Sequence, residues 1–264
     1  MTIDILTSID HKFLVELQPE GWPDILPHFH FYHENDNCFP IKVIINNKIV
    51  GIGAAIIHSE IAWLGHIIVH NEYRNQGIVK RITQSLVDLV HKKGCETIYL
   101  IATDLGAPVY EKVGFESEGE YSFYKNLNIK LKPSGNVIEF KEEFSHIVYN
   151  LDFNVTGENR TYLLEKHLKG AYVYRKEGEI QGFYLPALGE GLLIANDDLA
   201  GTELMKMRLS VSNNALIPSE NLNAIEFLKE NGAIEFKRAK RMRLGEKKVW
   251  FPNQIYNRIG GNIG

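Results

Sequence analysis

The chain has 264 residues, a formal net charge of −4 and 44% hydrophobic residues. That is enough chain for one large domain or two small ones, with no global attraction to nucleic acid or to an anionic membrane. No run reaches the ~18 apolar residues of a membrane span, the first residues lack a basic start before an apolar run, and Cys38 and Cys95 have no CxxC spacing, so a soluble cytoplasmic protein with no disulfide framework and no metal is expected.

Between residues 9 and 35, Pro19, Pro23 and Pro27 break any long helix into pieces. IKVIINNKIVGIGAAII predicts a hairpin around Asn46-Asn47-Lys48, and the run from Ile61 to Val69 predicts another strand. Ile78, Ile82, Leu86, Leu89 and Val90 then repeat at helical spacing from a start near Gly77, with Gly94 as the stop. TIYLIA at 97–102 reads as a buried strand, 107–112 as a helix, and a further strand begins at 120. The pattern weakens between Asn126 and Asn136, which divides the chain into a domain of 1–130 and one of 137–264. The second half repeats the order in outline: a hairpin about Glu177-Gly178, strands at GLLIA and ALIPS, and a helix at LNAIEFLKENGA ending near Gly232.

The segment richest in chemistry is WLGHIIVHNEYRNQGIVKRI, residues 63–82, where a strand passes through Arg74-Asn75-Gln76-Gly77 directly into a helix. Free N–H groups at a helix start, the positive end of its dipole and a glycine without Cβ together favour an anion such as a phosphate. Arg74 and Lys80 add positive charge. Val69, Arg74 and Gly77 stand where the GNAT superfamily has a strand ending in Val followed by an Arg/Gln-x-x-Gly-x-Gly/Ala loop, and ATDLGAPVYEKVGF at 102–115 resembles that family's later motif, a helix bearing Tyr before Gly-Phe.

The resemblance implies an α/β (α+β) acyl-CoA N-acyltransferase fold, a mixed and mostly antiparallel central sheet flanked by helices, with a second, degenerate GNAT-like lobe. It implies acetyl-CoA as cosubstrate. The amides of Asn75, Gln76, Gly77, Ile78 and Val79 would hold the pyrophosphate, Ile67, Ile68 and Val69 would belong to the cofactor site, with a backbone N–H near Ile68 or Val69 stabilising the oxyanion where the family's central strands splay apart, and Thr103 would donate to the pantetheine arm. Tyr110 would protonate the departing thiolate. Val79 departs from the small residue the family prefers, and its β-branch would either crowd the pyrophosphate or shift it, which bears on cofactor affinity and acyl-CoA choice. The acceptor would be an amine, of a small molecule first and of a peptide as the alternative; a non-catalytic acyl-CoA sensor is the third reading. An alkyl ammonium of pKa ~10.4 must lose a proton before it attacks. His66, His70 and Glu60 are candidate bases, with strand alternation placing His66 opposite Gly65 and Ile67 unless a bulge intervenes.

Other patterns are set aside. His28, His30 and His33 share a short helix with aromatic neighbours and lack a metal-ligand signature. Gly51-Ile52-Gly53 lies in a hairpin with Ile56 where a dinucleotide motif needs its third glycine. Leu163 stands where a calcium loop starting at Asp152 needs glutamate. The basic run from Lys237 to Lys248 reads as a charged outer face. In the second half Asp197 and Asp198 would oppose a pyrophosphate and Leu228 replaces the tyrosine, so one cofactor per chain is expected, with Asp152 and Arg160 either reading an acceptor or, the reading favoured, forming a structural pair.

Overall fold

A computed structural model describes residues 1–127 and 131–264. The chain forms two compact units, one of residues 1–117, 242–247 and 261–263, the other of 118–241, 248–260 and 264. The stretch between Asn126 and Asn136 falls within 118–241, and its residues 128–130 lie outside the described residues.

The first unit holds strands β1 (Thr2–Ile5), β2 (Cys38–Ile45), β3 (Lys48–His58), β4 (Ile61–Val69) and β5 (Thr97–Ala102). Its helices are α1 (Leu26–His33), α2 (Ile78–Lys92) and α3 (Ala107–Glu111), preceded by a 3-10 segment at Ser8–Leu17. Strands β1 to β4 are antiparallel neighbours in chain order; β5 joins β4 in parallel, and residues 242–245 follow it. The hairpin between β2 and β3 turns on Asn46 and Asn47, both left-handed (φ 50° and 61°), the backbone a two-residue turn needs and that asparagine tolerates.

Helix α2 buries Ile78, Ile82, Leu86 and Val90 against β3 and β4. Each such side chain removed from water contributes roughly 1.5–3 kcal/mol before the ordering cost. The close approach of helix to sheet accounts for Gly51 and Gly53: a Cβ on Gly53 would stand 2.6 Å from Ile82 Cγ2. These glycines serve packing, in agreement with their rejection as a nucleotide motif.

The second unit holds β6 (Glu116–Lys125, of which 118–125 fall in this unit), β7 (Val137–Glu139), β8 (Tyr172–Lys176), β9 (Glu179–Leu185), β10 (Leu192–Ala195), β11 (Ala215–Pro218), β12 (Ile234–Gly245, of which 234–241 fall in this unit) and β13 (Ile255–Asn257). Its helices are α4 (Ser145–Thr156), α5 (Thr161–Leu164), α6 (Asp198–Leu209) and α7 (Leu222–Glu230). Strands β12, β6 and β11 are neighbours, and the others form a sheet of order β13-β10-β9-β8-β7. The basic run near the C terminus is not uniformly an outer face. Lys237 and Arg238 are exposed, but Arg241 is buried, its guanidinium paired with the Glu118 carboxylate and lying 4.3 Å from the Trp250 ring centre. Strand alternation turns it inward, where a carboxylate and a ring face replace water. Among the described residues no helix is long and apolar enough to cross a membrane.

Candidate functional site

The loop between β4 and α2 is built to present amides. Asn75 (φ 61°) and Gly77 (φ 74°) are both left-handed, and Arg74, Asn75, Gln76 and Gly77 are exposed. No side chain caps α2, whose first turn therefore keeps its orphan N–H groups available. A Cβ at Gly77 would meet nothing within 4 Å, so the space in front of the helix start is open. Arg74 folds back so that its Nε donates to the Val69 carbonyl at 3.4 Å, tying the loop to the end of β4. Ile78 is buried, and Val79 is half-buried and packs against the apolar core.

Next to this loop, β4 leaves β5. Pairing between them runs from Ile61 to Leu64, opposite Thr97 to Leu100, and among the described residues goes no further. The stretch Ile67, Ile68 and Val69 continues along β3, so its backbone groups on the other side are not used by β5. The same stretch carries a bulge: Ala54 faces Gly65 and Ile52 faces Ile68, leaving Gly53 alone opposite His66 and Ile67, and His66 adopts φ 48°. The bulge breaks the alternation. Ile67 packs against the α2 core, whereas Gly65 and His66 both turn toward residues of α1 and the C-terminal segment.

Beyond the end of β5, Thr103 and Tyr110 both flank Gly106. A Cβ on Gly106 would stand 3.1 Å from Tyr110 Cε2 and 3.5 Å from Thr103 Oγ1, so the glycine lets the two side chains converge. The turn that follows α3 closes at Gly114 (φ 106°), and the Phe115 amide donates back to the Tyr110 carbonyl at 3.1 Å, which explains why glycine and phenylalanine follow the tyrosine at this spacing. Tyr110 is buried, and burial pushes its hydroxyl up to about 12.

A second cluster, not foreseen from sequence as a unit, surrounds His66. Its Nδ1 lies 2.6 Å from Tyr32 Oη, and the Asn262 side-chain amide donates to that same hydroxyl at 2.7 Å. The His28 ring centre is 4.5 Å from that of His66, with Phe29 at 5.8 Å and Trp22 at 6.5 Å. Burial, with the charge of His28 as a smaller cause, lowers His66 to about 3. His30 and His33 go elsewhere: His33 contacts His11 at 2.8 Å, and its Nε2 lies 2.9 Å from the Leu6 carbonyl. Among the described residues no group of three or more His, Cys, Asp or Glu converges as a metal site.

The second unit repeats the framework without these features. The start of α6 is capped by Asp197, whose carboxylate accepts the Ala200 amide at 3.0 Å, consuming a donor and adding negative charge. Leu228 is fully buried and carries no hydroxyl. Asp152 and Arg160 form a buried two-point ion pair, Nε to Oδ2 at 3.0 Å and Nη2 to Oδ1 at 2.5 Å.

Residues 4–115 match the model of the acetyltransferase (GNAT) family. Over its whole length the chain is similar to the crystal structure of a candidate acetyltransferase from Pyrococcus horikoshii, with 23% identity, 100% of this chain and 95% of that one covered, and a TM-score of 0.82. A GCN5-related N-acetyltransferase from Sphaerobacter thermophilus is 11% identical over 94% of this chain and 97% of its own, with a TM-score of 0.64. A tandem GNAT protein from the clavulanic acid biosynthesis pathway is 13% identical over 92% and 98%, with a TM-score of 0.62. No curated protein matches the chain.

Proposed function

We propose that the chain, whose residues 4–115 match the acetyltransferase (GNAT) family model, transfers an acetyl group from acetyl-CoA to the amine of a small molecule by direct attack with both substrates bound. The observation that carries this reading is the exposed, left-handed loop 74–77 at the uncapped start of α2. Its amides, from Asn75 to Val79, suit a pyrophosphate, and Arg74 supplies charge. Bound acetyl-CoA supplies an activated acyl carbon. Thr103 donates to the cofactor's amide arm, and a backbone N–H near Ile68 or Val69, beyond the β4–β5 pairing, faces the charge that develops on the acyl oxygen, a role in which one lost donor costs about 3 kcal/mol elsewhere. With its hydroxyl at about 12, Tyr110 acts chiefly as a hydrogen-bond donor to the departing sulfur. A thiol of ~8.5 is too weak a base, once ionised, to take that proton outright.

A small acceptor is favoured by a cavity of about 340 Å³ in the first unit, whose lining includes Leu14, Val15, Trp22, Asp24, Ile25 and Leu26. That volume lies at the low end of small-molecule sites. Its wall is fixed by Gln18, whose side-chain amide donates to the carbonyls of Trp22 (3.1 Å) and Pro23 (3.0 Å) and accepts from the Ile25 amide (3.1 Å). The capped start of α6 supports a single cofactor per chain. Calorimetric titration with acetyl-CoA tests the reading: binding at about one site per chain, abolished by Gly77→Asp, is expected. Absence of binding to the unmodified protein would end it.

A further inference from the structure

We propose that Asn262 fixes His66 as a neutral imidazole protonated on Nε2, and that this N–H selects amines carrying an oxygen next to the amino group. The acceptor half of the proposal rests on the acetyl-transfer reading; the tautomer does not.

The donor inventory decides the tautomer. The Asn262 NH2 group can only donate, and Tyr32 Oη accepts it at 2.7 Å. The tyrosine's own proton is then directed to His66 Nδ1, 2.6 Å away, so that Nδ1 accepts and the ring proton sits on Nε2. The groups facing the ring are Tyr32, Phe29 and His28 from α1, Trp22 from the preceding loop, and Tyr32's partner Asn262. None is a carboxylate, so nothing in this shell favours the imidazolium. Among the described residues Nε2 has no hydrogen-bond partner, and His66 as a residue is half-buried.

A nitrogen that only donates cannot take a proton from an ammonium, which removes His66 from the candidate bases. Nor does it suit the lone pair of an amine about to attack. Its complement is an oxygen. Because Trp22 both lines the apolar cavity and lies 6.5 Å from His66, the oxygen belongs to a molecule whose apolar part occupies that cavity. A primary amine with a hydroxyl, ether or carbonyl oxygen one or two bonds from the amino-bearing carbon meets these conditions.

Imidazole ¹⁵N NMR on the full chain tests the tautomer without any variant. The Nε2–H form, with no titration of His66 between pH 5 and 9, is expected; an Nδ1–H form or an imidazolium at pH 7 overturns the proposal. Asn262→Asp replaces the donor by a group that only accepts, so Tyr32 turns its proton to Asp and the imidazole proton moves to Nδ1. Selectivity is read with 2-amino-1-phenylethanol against phenethylamine, which differ by one hydroxyl. The hydroxylated amine should bind at least tenfold more tightly, followed by fluorescence lost in Trp22→Phe, and Asn262→Asp should erase the difference. Equal binding of both amines overturns the selectivity. If the amines are distinguished but acetyl-CoA is never consumed, the acetyl-transfer reading fails and the amine site stands.

Discussion

Replacing Gly65 by alanine puts one methyl group against the C-terminal segment. The added Cβ would lie 2.2 Å from Asn262 Cβ and 2.8 Å from Asn262 Cα, where carbon atoms settle at about 3.5–4.0 Å. The segment must withdraw by roughly 1.3 Å or more to restore that contact. Its 2.7 Å hydrogen bond to Tyr32 then stretches past the useful range. Overpacking costs about 1–3 kcal/mol and a lost hydrogen bond about 0.5–1.5, so Gly65→Ala should destabilise the first unit by about 2–4 kcal/mol. Urea unfolding followed through Trp63, buried with its ring centre 5.2 Å from that of Tyr99, measures the first unit. In an Asn262→Gly background the nearer contact is gone, and the same substitution should cost at least about 1 kcal/mol less. A cost below about 0.5 kcal/mol, or an equal cost in both backgrounds, would refute the assignment of Gly65 to this contact.

Asp152→Ala leaves Arg160 buried without its carboxylate and should lower the stability of the second unit by about 3–5 kcal/mol in thermal unfolding, while replacing both residues by apolar ones should cost less. Tyr110→Phe should reduce kcat with acetyl-CoA affinity unchanged by calorimetry. Because burial raises this phenol, the stability it contributes is complete below pH ~10 and is lost only as pH rises through about 12. A fall in rate with an apparent pKa near 10 that disappears in Tyr110→Phe would contradict the buried, neutral hydroxyl.

Local patterns carried much of this architecture. The spacing of Ile78, Ile82, Leu86 and Val90 specifies one face of α2, and Asn46-Asn47 specifies a turn, because each depends on neighbours within a few residues. The loop 74–77 is legible for the same reason. The surroundings of His66 are not. A single inserted residue in β4 reverses which face the histidine shares, and its partner on Tyr32 comes from Asn262, which has no periodicity linking it to β4. Gly65 was the only local hint, a residue without Cβ in a strand interior, and such a gap shows that something approaches without naming it. Arg241 was misread for a related reason: a basic run looks solvated until a distant carboxylate and ring supply a substitute for water.

The first unit is assembled from segments far apart in the sequence, and this bears on how the protein is made. Residues 242–247 supply Met242 to its core and the Glu246 carbonyl to the Thr97 hydroxyl, and 261–263 supply Asn262. At ~5–20 residues per second, the ribosome needs roughly 6–25 s to pass from residue 117 to residue 242. Throughout that interval the nascent β5 lacks its neighbour and exposes an edge to chaperones or to other chains. Synthesis through residue 263, rather than emergence of residues 1–117, therefore sets the moment at which the first unit can mature.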